Sequence, residues 1–315
     1  MRYSFAMTGR PDLIAAIRQD IASAGGRLTF ARFMELALYH PQHGYYTSGQ
    51  SRIGKTGDYF TSVSVSPLFG KILARQFQQW GVTEVVEFGG HRGQLRADIL
   101  AAAPHLKYRV VEIGDPLPDR ISGVVFSNEF LDALPVHRIC GDQEIYVTAD
   151  FTEELGPLSD PRLPRLPDGY RSEINLRALD WLTDIAGRLE RGYVLTIDYG
   201  FDRQEYFAPH HQDGHLQCYY RHTKSGNPYE HIGEQDITAH VEFTSLIEHG
   251  RQLGLEPVLF TDQAHFLLEA GKDIIQEIVE REAGQLSRER NAIHQLLHST
   301  MGRTFKVLVQ RKDGP

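Results

Sequence analysis

The sequence predicts an α/β protein built on a doubly wound, mostly parallel sheet, and three observations carry that prediction. The first is the stretch VTEVVEFGGHRGQLRADIL, residues 82–100. It reads as a strand over Val82–Phe88, a glycine turn over Gly89–Gly93, and a helix over Gln94–Ala103 with Leu95, Ile99 and Leu100 at helical spacing. The second is the alternation of strand and helix patterns along the rest of the chain, which is the signature of a parallel sheet with crossover helices. The third is where the polar residues fall. Gly89–Gly93, Glu112, Asn128-Glu129 and Asp198-Tyr199-Gly200 all follow strands, and ligands in open α/β sheets sit outside the carboxyl ends of the strands.

Taken in order, Leu13–Ala24 reads as a helix, with Leu13, Ile14, Ile17 and Ile21 on one face and Gly25-Gly26 as the stop. Thr29 caps a second helix over Phe30–Leu38. Gly44–Thr61, rich in aromatics and glycine, reads as a hairpin or ordered loop, and Ser66-Pro67 opens a third helix to about Trp80. Beyond the glycine turn, Tyr108–Ile113 and Gly123–Phe126 are strands. Arg138–Phe151 alternates like an antiparallel excursion, and Pro157–Pro167 is a proline-rich loop. Ile174–Leu189 is an amphipathic helix and Tyr193–Asp198 a strand. Phe201–Gln235, polar, aromatic and histidine-bearing, is expected to lie over the sheet edge as a lid. Helices over Val241–Leu253, Ile274–Glu282 and Arg288–His298, with strands at Leu255–Phe260 and Phe305–Gln310, complete the chain.

Bulk properties narrow the function. The 315 residues suffice for a real core, and 41% hydrophobic with 23% charged residues is ordinary for a soluble globular protein. A net charge of −8 gives no basic excess for phosphate backbones, so no nucleic-acid partner is expected. Two cysteines, Cys140 and Cys218, show no metal spacing and argue against a disulfide scaffold. No long apolar run suggests membrane insertion, and the N-terminal residues lack a signal-peptide pattern, so a soluble cytoplasmic protein is the expectation.

The turn excludes two ligand classes. Gly89-Gly90-His91-Arg92-Gly93 breaks the dinucleotide fingerprint, and no phosphate-binding P-loop occurs. Glu87 before the turn and Glu112 after the next strand fit S-adenosylmethionine better, because a carboxylate at Glu112 can accept two ribose hydroxyl bonds. Glu87 can instead fix the turn by accepting backbone N–H bonds.

Several stretches, in order and over nearly the whole chain, are similar to the MidA family of S-adenosylmethionine-dependent methyltransferases, which includes the mitochondrial complex I assembly-factor type protein arginine methyltransferases. They are FMELALYHPQHGYY (33–46), GKTGDYFTS with SPLFG (54–70), the glycine turn, NEFLDALPV (128–136), GYVLTIDYG (192–200), CYYRHT (218–223), PYEHIGEQDITAHVEFT (228–244) and MGRTFKVLVQ (301–310). The resemblance implies a class I methyltransferase fold of Rossmann-like type, with an antiparallel last strand, an N-terminal helical extension and a lid insertion. It implies S-adenosyl-L-methionine as cofactor, no metal, and a protein substrate carrying an arginine. The expected organisation is an N-terminal extension (1–80), a cofactor-binding core (81–200) with an antiparallel excursion at 138–170, a lid and substrate segment (201–240) and a C-terminal completion of the sheet (241–315).

Three departures from the family pattern stand out. His91 occupies the middle glycine position of the family's G-x-G-x-G turn, and Val63-Ser64 replace its Pro-Glu. Only fifteen residues separate Glu112 from Asn128, and they contain two prolines and no helical pattern. A crossover helix with its strand needs more, so the third strand of the sheet is expected to be missing or vestigial.

The candidate catalytic residues are Glu129, Asp132 and His222, the two carboxylates as planar partners for a guanidinium. The candidate cofactor residues are Glu87, Gly89, His91, Gly93, Glu112, Asn128 and Asp58. Each has a plainer reading. Asp58 can be a turn residue, Asp132 a helix-start acid, Asn128 a strand-end cap and Asp198 a brace for the neighbouring loop, while Tyr199 lines the site or only the strand end. Asp236 reads as a helix cap, His222 and His240 as either proton acceptors or structural groups, and His210, His211 and His215 as surface histidines rather than metal ligands. Tyr45, Tyr46, Tyr219 and Tyr220 can clamp a guanidinium or simply pack. Two functions remain: an active methyltransferase acting on a protein arginine, and a binding or assembly module that has lost turnover. A nicotinamide dehydrogenase is disfavoured by the turn spacing.

Overall fold

The computed structural model describes residues 8–48, 66–91, 93–282, 287–298 and 300–314. The chain forms two compact units. One comprises residues 1–60, 132–178 and 204–240, and the other 61–131, 179–203 and 241–315.

The second unit carries the doubly wound sheet. Its elements are α3 (Leu68–Gln79), β2 (Glu84–Phe88), α4 (Gln94–Ala102), β3 (Lys107–Val111), β4 (Ile121–Asn128), β9 (Leu189–Phe201), β13 (Val241–Glu242), α7 (Phe243–Gln252), β14 (Glu256–Asp262), α8 (Gln263–Ala270), α9 (Lys272–Arg281), α10 (Arg288–His298), α11 (Thr300–Thr304) and β15 (Phe305–Lys312). The helix α5 (Leu176–Arg188) leads into β9. The strand order is β14-β15-β9-β4-β2-β3, with β13 added at the end of β9. Strands β3, β2, β4 and β9 run parallel, whereas β15 is antiparallel to both β9 and β14. The antiparallel last strand is as expected.

The expected loss of the third strand is also observed. Among the described residues β3 is the edge strand, and residues 112–120 hold no helix. They form a tight return instead. The Glu112 N–H donates to Asp115 Oδ2, the Asp115 N–H donates back to the Glu112 carbonyl, and Arg109 donates to the Pro116 carbonyl. An aspartate that hydrogen-bonds its own backbone neighbours favours a turn over a helix.

The core of this unit is what aligns the strand ends. Phe69, Leu73 and Phe77 of α3 pack with Ile99 of α4 and with Val85, Val124, Phe126, Leu195 and Val307 of the sheet. Val86 and Val125, on the opposite face, are fully buried as well, and burial on both faces explains the near-continuous apolar runs VVEF and GVVF. The sequence reading missed α8, whose N-terminus is capped by Asp262 accepting from the His265 N–H. Its apolar pattern is short, and the helix exists because Phe266 and Leu267 are buried in the same cluster.

The first unit joins segments distant in sequence. It contains α1 (Pro11–Ser23), β1 (Arg27–Thr29), α2 (Phe30–Tyr39), β5 (His137–Cys140), β6 (Gln143–Thr148), β7 (Glu153–Gly156), β8 (Arg171–Ile174), β10 (Leu216–Tyr220), β11 (Thr223–Ser225) and β12 (Asp236–Ala239). One sheet has the order β1-β6-β5-β8 with β7 beside β6, and a second has the order β11-β10-β12. Thr29 caps α2 as expected, accepting from the Arg32 N–H. The 138–170 excursion is antiparallel as expected, and β1 pairs with it. The segment expected to form a lid shares a core with the N-terminal helices: Cys218, Ile232 and Ile237 are buried together with Phe30, Phe33 and Met34. Beneath it Arg138 is nearly buried between Glu173 and Glu153 and lies over the Phe30 ring. Among the described residues no helix is long and apolar enough to cross a membrane.

Candidate active site

The glycine turn is built by contacts that exclude side chains at two of its positions. A β-carbon on Gly90 would lie 2.7 Å from Glu87 Oε2, and one on Gly89 would lie 2.8 Å from the Phe130 ring. Gly89 and Gly93 take φ of 71° and 70°, values that cost a side-chain-bearing residue about 1–2 kcal/mol. Gly93 is also the residue from which α4 starts. His91 takes φ of 46°, so the histidine occupies a backbone conformation suited to the glycine it replaces. Its N–H donates to Glu112 Oε1 at 2.7 Å, which joins the turn to the end of β3.

Among the described residues, no backbone N–H donates to the Glu87 carboxyl. Its partner is the Tyr108 hydroxyl, which donates to Glu87 Oε2 at 3.1 Å. The carboxyl is 3% exposed, and burial raises its pKa to about 7 against the lowering effect of the Tyr108 bond. The same burial, with the Glu87 charge, raises the Tyr108 hydroxyl well above its usual range. Glu112 lies at the surface, and its pKa is raised by partial desolvation, opposed by the His91 N–H. Among the described residues, Glu112 Oε2 has no hydrogen-bond donor.

The exit from β4 is held by Asp198. This aspartate is fully buried at the end of β9. Its Oδ2 accepts the N–H groups of Phe130 at 3.2 Å and Leu131 at 2.9 Å, and its Oδ1 accepts the Tyr199 N–H at 2.8 Å. The bracing role is therefore the one observed. The Glu129 N–H continues the ladder to the Ile197 carbonyl, with φ of 52° at Glu129. Asn128 donates from Nδ2 to Glu129 Oε1 at 3.1 Å, while its buried Oδ1 has no partner among the described residues. Phe130 then packs against Phe88 and Trp181. The role of Phe130 beneath Gly89 and of Tyr108 above Glu87 escaped the sequence reading; an aromatic within two residues of a strand-end acid was the available signal. A glycine turn opening a helix, a carboxylate at the next strand end and an unsatisfied buried amide oxygen together provide the donors and acceptors that a nucleoside carrying an amino acid requires.

Other candidates fall elsewhere. Asp58, Val63 and Ser64 lie outside the described residues. Asp132 is buried in the first unit, where its carbonyl accepts the Ala239 N–H. His222 is exposed in the two-residue turn between β10 and β11, where it and Arg221 have φ of 65° and 47°, the pattern of a tight hairpin. Asp236 caps no helix. It opens β12 and accepts from the Tyr46 hydroxyl at 2.7 Å. Tyr199 packs against Phe305 with tilted rings whose centres are 3.8 Å apart. Tyr45 is a core residue, Tyr219 donates to Gln217, and Tyr220 stacks on His231, so packing accounts for the tyrosines. His215 is buried rather than at the surface, and donates from Nε2 to the Tyr206 carbonyl. Burial lowers the pKa of His215 to about 4 and of His240 to about 3, keeping both neutral.

Comparison with known proteins accounts for this arrangement. Residues 104–261 match a family model described as S-adenosyl-L-methionine-dependent methyltransferase. A crystal structure of a Burkholderia thailandensis protein bound to S-adenosyl-homocysteine superposes with a TM-score of 0.86 at 33% identity, over 98% of this chain and 96% of that one. The chain belongs to the MidA family of S-adenosylmethionine-dependent methyltransferases. Among its curated relatives, the mitochondrial protein arginine methyltransferase NDUFAF7 of Bos taurus is 34% identical, over 81% of this chain and 72% of its own length. That of Rattus norvegicus is 24% identical over 85% and 76%. This MidA-family protein is thus an enzyme whose cofactor is S-adenosyl-L-methionine.

Two predictions follow from the geometry. Glu87 has a pKa near 7 in the folded protein and near 4.5 unfolded. Between those values the folded chain binds more protons, so stability falls as pH rises through the window, by about 3 kcal/mol in total. Glu87→Gln removes the titration; in urea unfolding at several pH values the variant should lose this slope and gain on the wild type above pH 7. Removing the Asp198 carboxylate orphans three N–H groups, two of them buried. Asp198→Ala should lower the unfolding free energy by about 3 kcal/mol, and Asp198→Asn by less; a change in Asp198→Ala within about 0.5 kcal/mol, the range of neutral surface changes, would contradict the brace.

Proposed function

We propose that this methyltransferase methylates an arginine of a partner protein. The support is that its relatives in Rattus norvegicus and Bos taurus are named protein arginine methyltransferases, together with the acidic stretch held at the exit of β4. The single observation that carries the reading is the position of Glu129. Its backbone is held at φ 52° immediately after the strand end, by its own N–H bond to Ile197 and by the Asp198 bonds to the next two residues. A guanidinium is planar and stays charged, so its methylation needs carboxylates that orient it and concentrate electron density on one nitrogen. Glu129 serves that role.

Bound S-adenosylmethionine supplies an electrophilic methyl group. In our reading Gly89, His91 and Gly93 present the turn to its amino-acid part, Asn128 Oδ1 accepts from its amino group, and Glu112 Oε2 accepts from its ribose. Glu87, its pKa raised by burial to about 7, supports the turn from beneath Gly90. Asp58 completes the set on the motif resemblance alone. Two free cysteines, Cys140 and Cys218, support a reducing, cytoplasmic setting.

Glu129→Gln should leave cofactor affinity within about twofold and reduce the methylation rate by about 10²-fold or more. The assay is radiolabelled methyl transfer to a cell extract, with mass spectrometry of the labelled residue. Label on a residue other than arginine, or full activity in the variant, would contradict the reading.

A second reading, a methyltransferase-fold assembly factor with weak turnover, is favoured by one observation, the strained His91 in the cofactor turn with its N–H already bonded to Glu112. It predicts that His91→Gly raises stability by roughly 1 kcal/mol and tightens S-adenosylmethionine binding in calorimetry, while the wild type transfers no methyl group. If the wild type already binds cofactor well below millimolar and turns over, this second reading fails.

A further inference from the structure

We infer that Glu205, His210 and His211 form a binding site for a divalent transition ion of the zinc class, separate from the methyl-transfer residues. The three side chains come from one short stretch. Glu205 is on a helical turn, α6 (Arg203–Tyr206), and both histidines are on the following 3-10 turn, Pro209–His211. Two successive backbone bonds fold the stretch: the Ala208 N–H donates to the Glu205 carbonyl, and the His211 N–H to the Ala208 carbonyl. Pro209 stiffens the link between them. The result brings His210 Nε2 to 2.8 Å and His211 Nε2 to 3.6 Å from the same oxygen, Glu205 Oε1. All three ligand atoms lie within 4.8 Å of one another.

That spacing suits coordination. Two ligands each about 2.1 Å from a tetrahedral zinc are roughly 3.4 Å apart. Two imidazoles and one carboxylate are borderline donors that select zinc-class ions over calcium or magnesium. Without an ion, His210 Nε2 donates to Glu205 Oε1; an ion would displace that proton, leaving both rings in the Nδ1–H tautomer with Nε2 as ligand and water completing the shell. Access is open, since Glu205 and His210 are exposed and His211 half-buried. Behind them the stretch is anchored by His215, whose ring packs tilted against His211 with centres 4.5 Å apart and which donates to the Tyr206 carbonyl. The site is thus largely preformed on a fixed base, and an ion there would pin α6 to the 3-10 turn.

The test uses the full-length untagged chain, freed of metal by chelator, titrated with zinc chloride in calorimetry and with cobalt chloride in absorption spectroscopy. One ion per chain with micromolar affinity, a tetrahedral-type cobalt spectrum and a raised unfolding temperature are expected. His210→Ala and Glu205→Gln, both at exposed positions, should each weaken binding by about tenfold or more while the metal-free variants unfold at the wild-type temperature. Absence of one-to-one zinc binding, or binding unchanged in both variants, overturns the proposal.

Discussion

The site depends on one buried carboxylate. Asp198, fully enclosed at the end of β9, accepts three backbone N–H groups and so fixes how the chain leaves β4. Charge-assisted bonds to backbone are strong because the acceptor is ionised and the donors are immobile. The clamp holds the stretch beginning with Glu129, and it sets Phe130 beneath Gly89 and against Phe88. The glycine turn and the acidic stretch are therefore coupled through a single aromatic ring whose backbone N–H belongs to the clamp.

Around the turn, carboxyl groups play different parts because their surroundings differ. Glu87 is enclosed, bonded to the Tyr108 hydroxyl, and titrates near neutrality. Glu112 stands at the surface with one oxygen bonded to the His91 N–H. A buried acid whose charged form is disfavoured can support a glycine turn without a full charge, whereas a surface carboxylate remains available to hydroxyl groups. The missing third strand bears on the same place. With β3 at the sheet edge, Glu112 leads directly into the Asp115 turn instead of a crossover helix, so this side of the site is walled by loop.

Much of the doubly wound unit was legible in the sequence. Apolar runs of four or five residues ended by glycine or an acid marked β2, β3, β4 and β9, and the short span from Glu112 to Asn128 could not contain a helix and a strand. The bracing role of Asp198 and the structural role of most tyrosines were among the readings weighed. Less legible were contacts that arise only after folding. Tyr108 reaching Glu87, Phe130 filling the space beneath Gly89, and the burial of His215 all depend on neighbours distant in sequence. Asp236 read as a helix cap because an acid precedes an apolar stretch in GEQDITAHV; the stretch is a strand paired with β10, and its acid meets Tyr46 instead.

By itself the sequence determined the sheet and the glycine turn that opens α4, features encoded locally, in periodicity and in residues with restricted backbone conformations. The antiparallel direction of the last strand was implied only by the family resemblance. Only the tertiary structure decided that the N-terminal helices, the 138–170 excursion and the 204–240 segment share one core, because pairings such as β1 with β6 join residues over a hundred positions apart. It alone decided the protonation of Glu87, since burial has no local signature. It also showed His91 in a left-handed conformation suited to glycine; the sequence could name that substitution, but the backbone angle is a property of the folded turn.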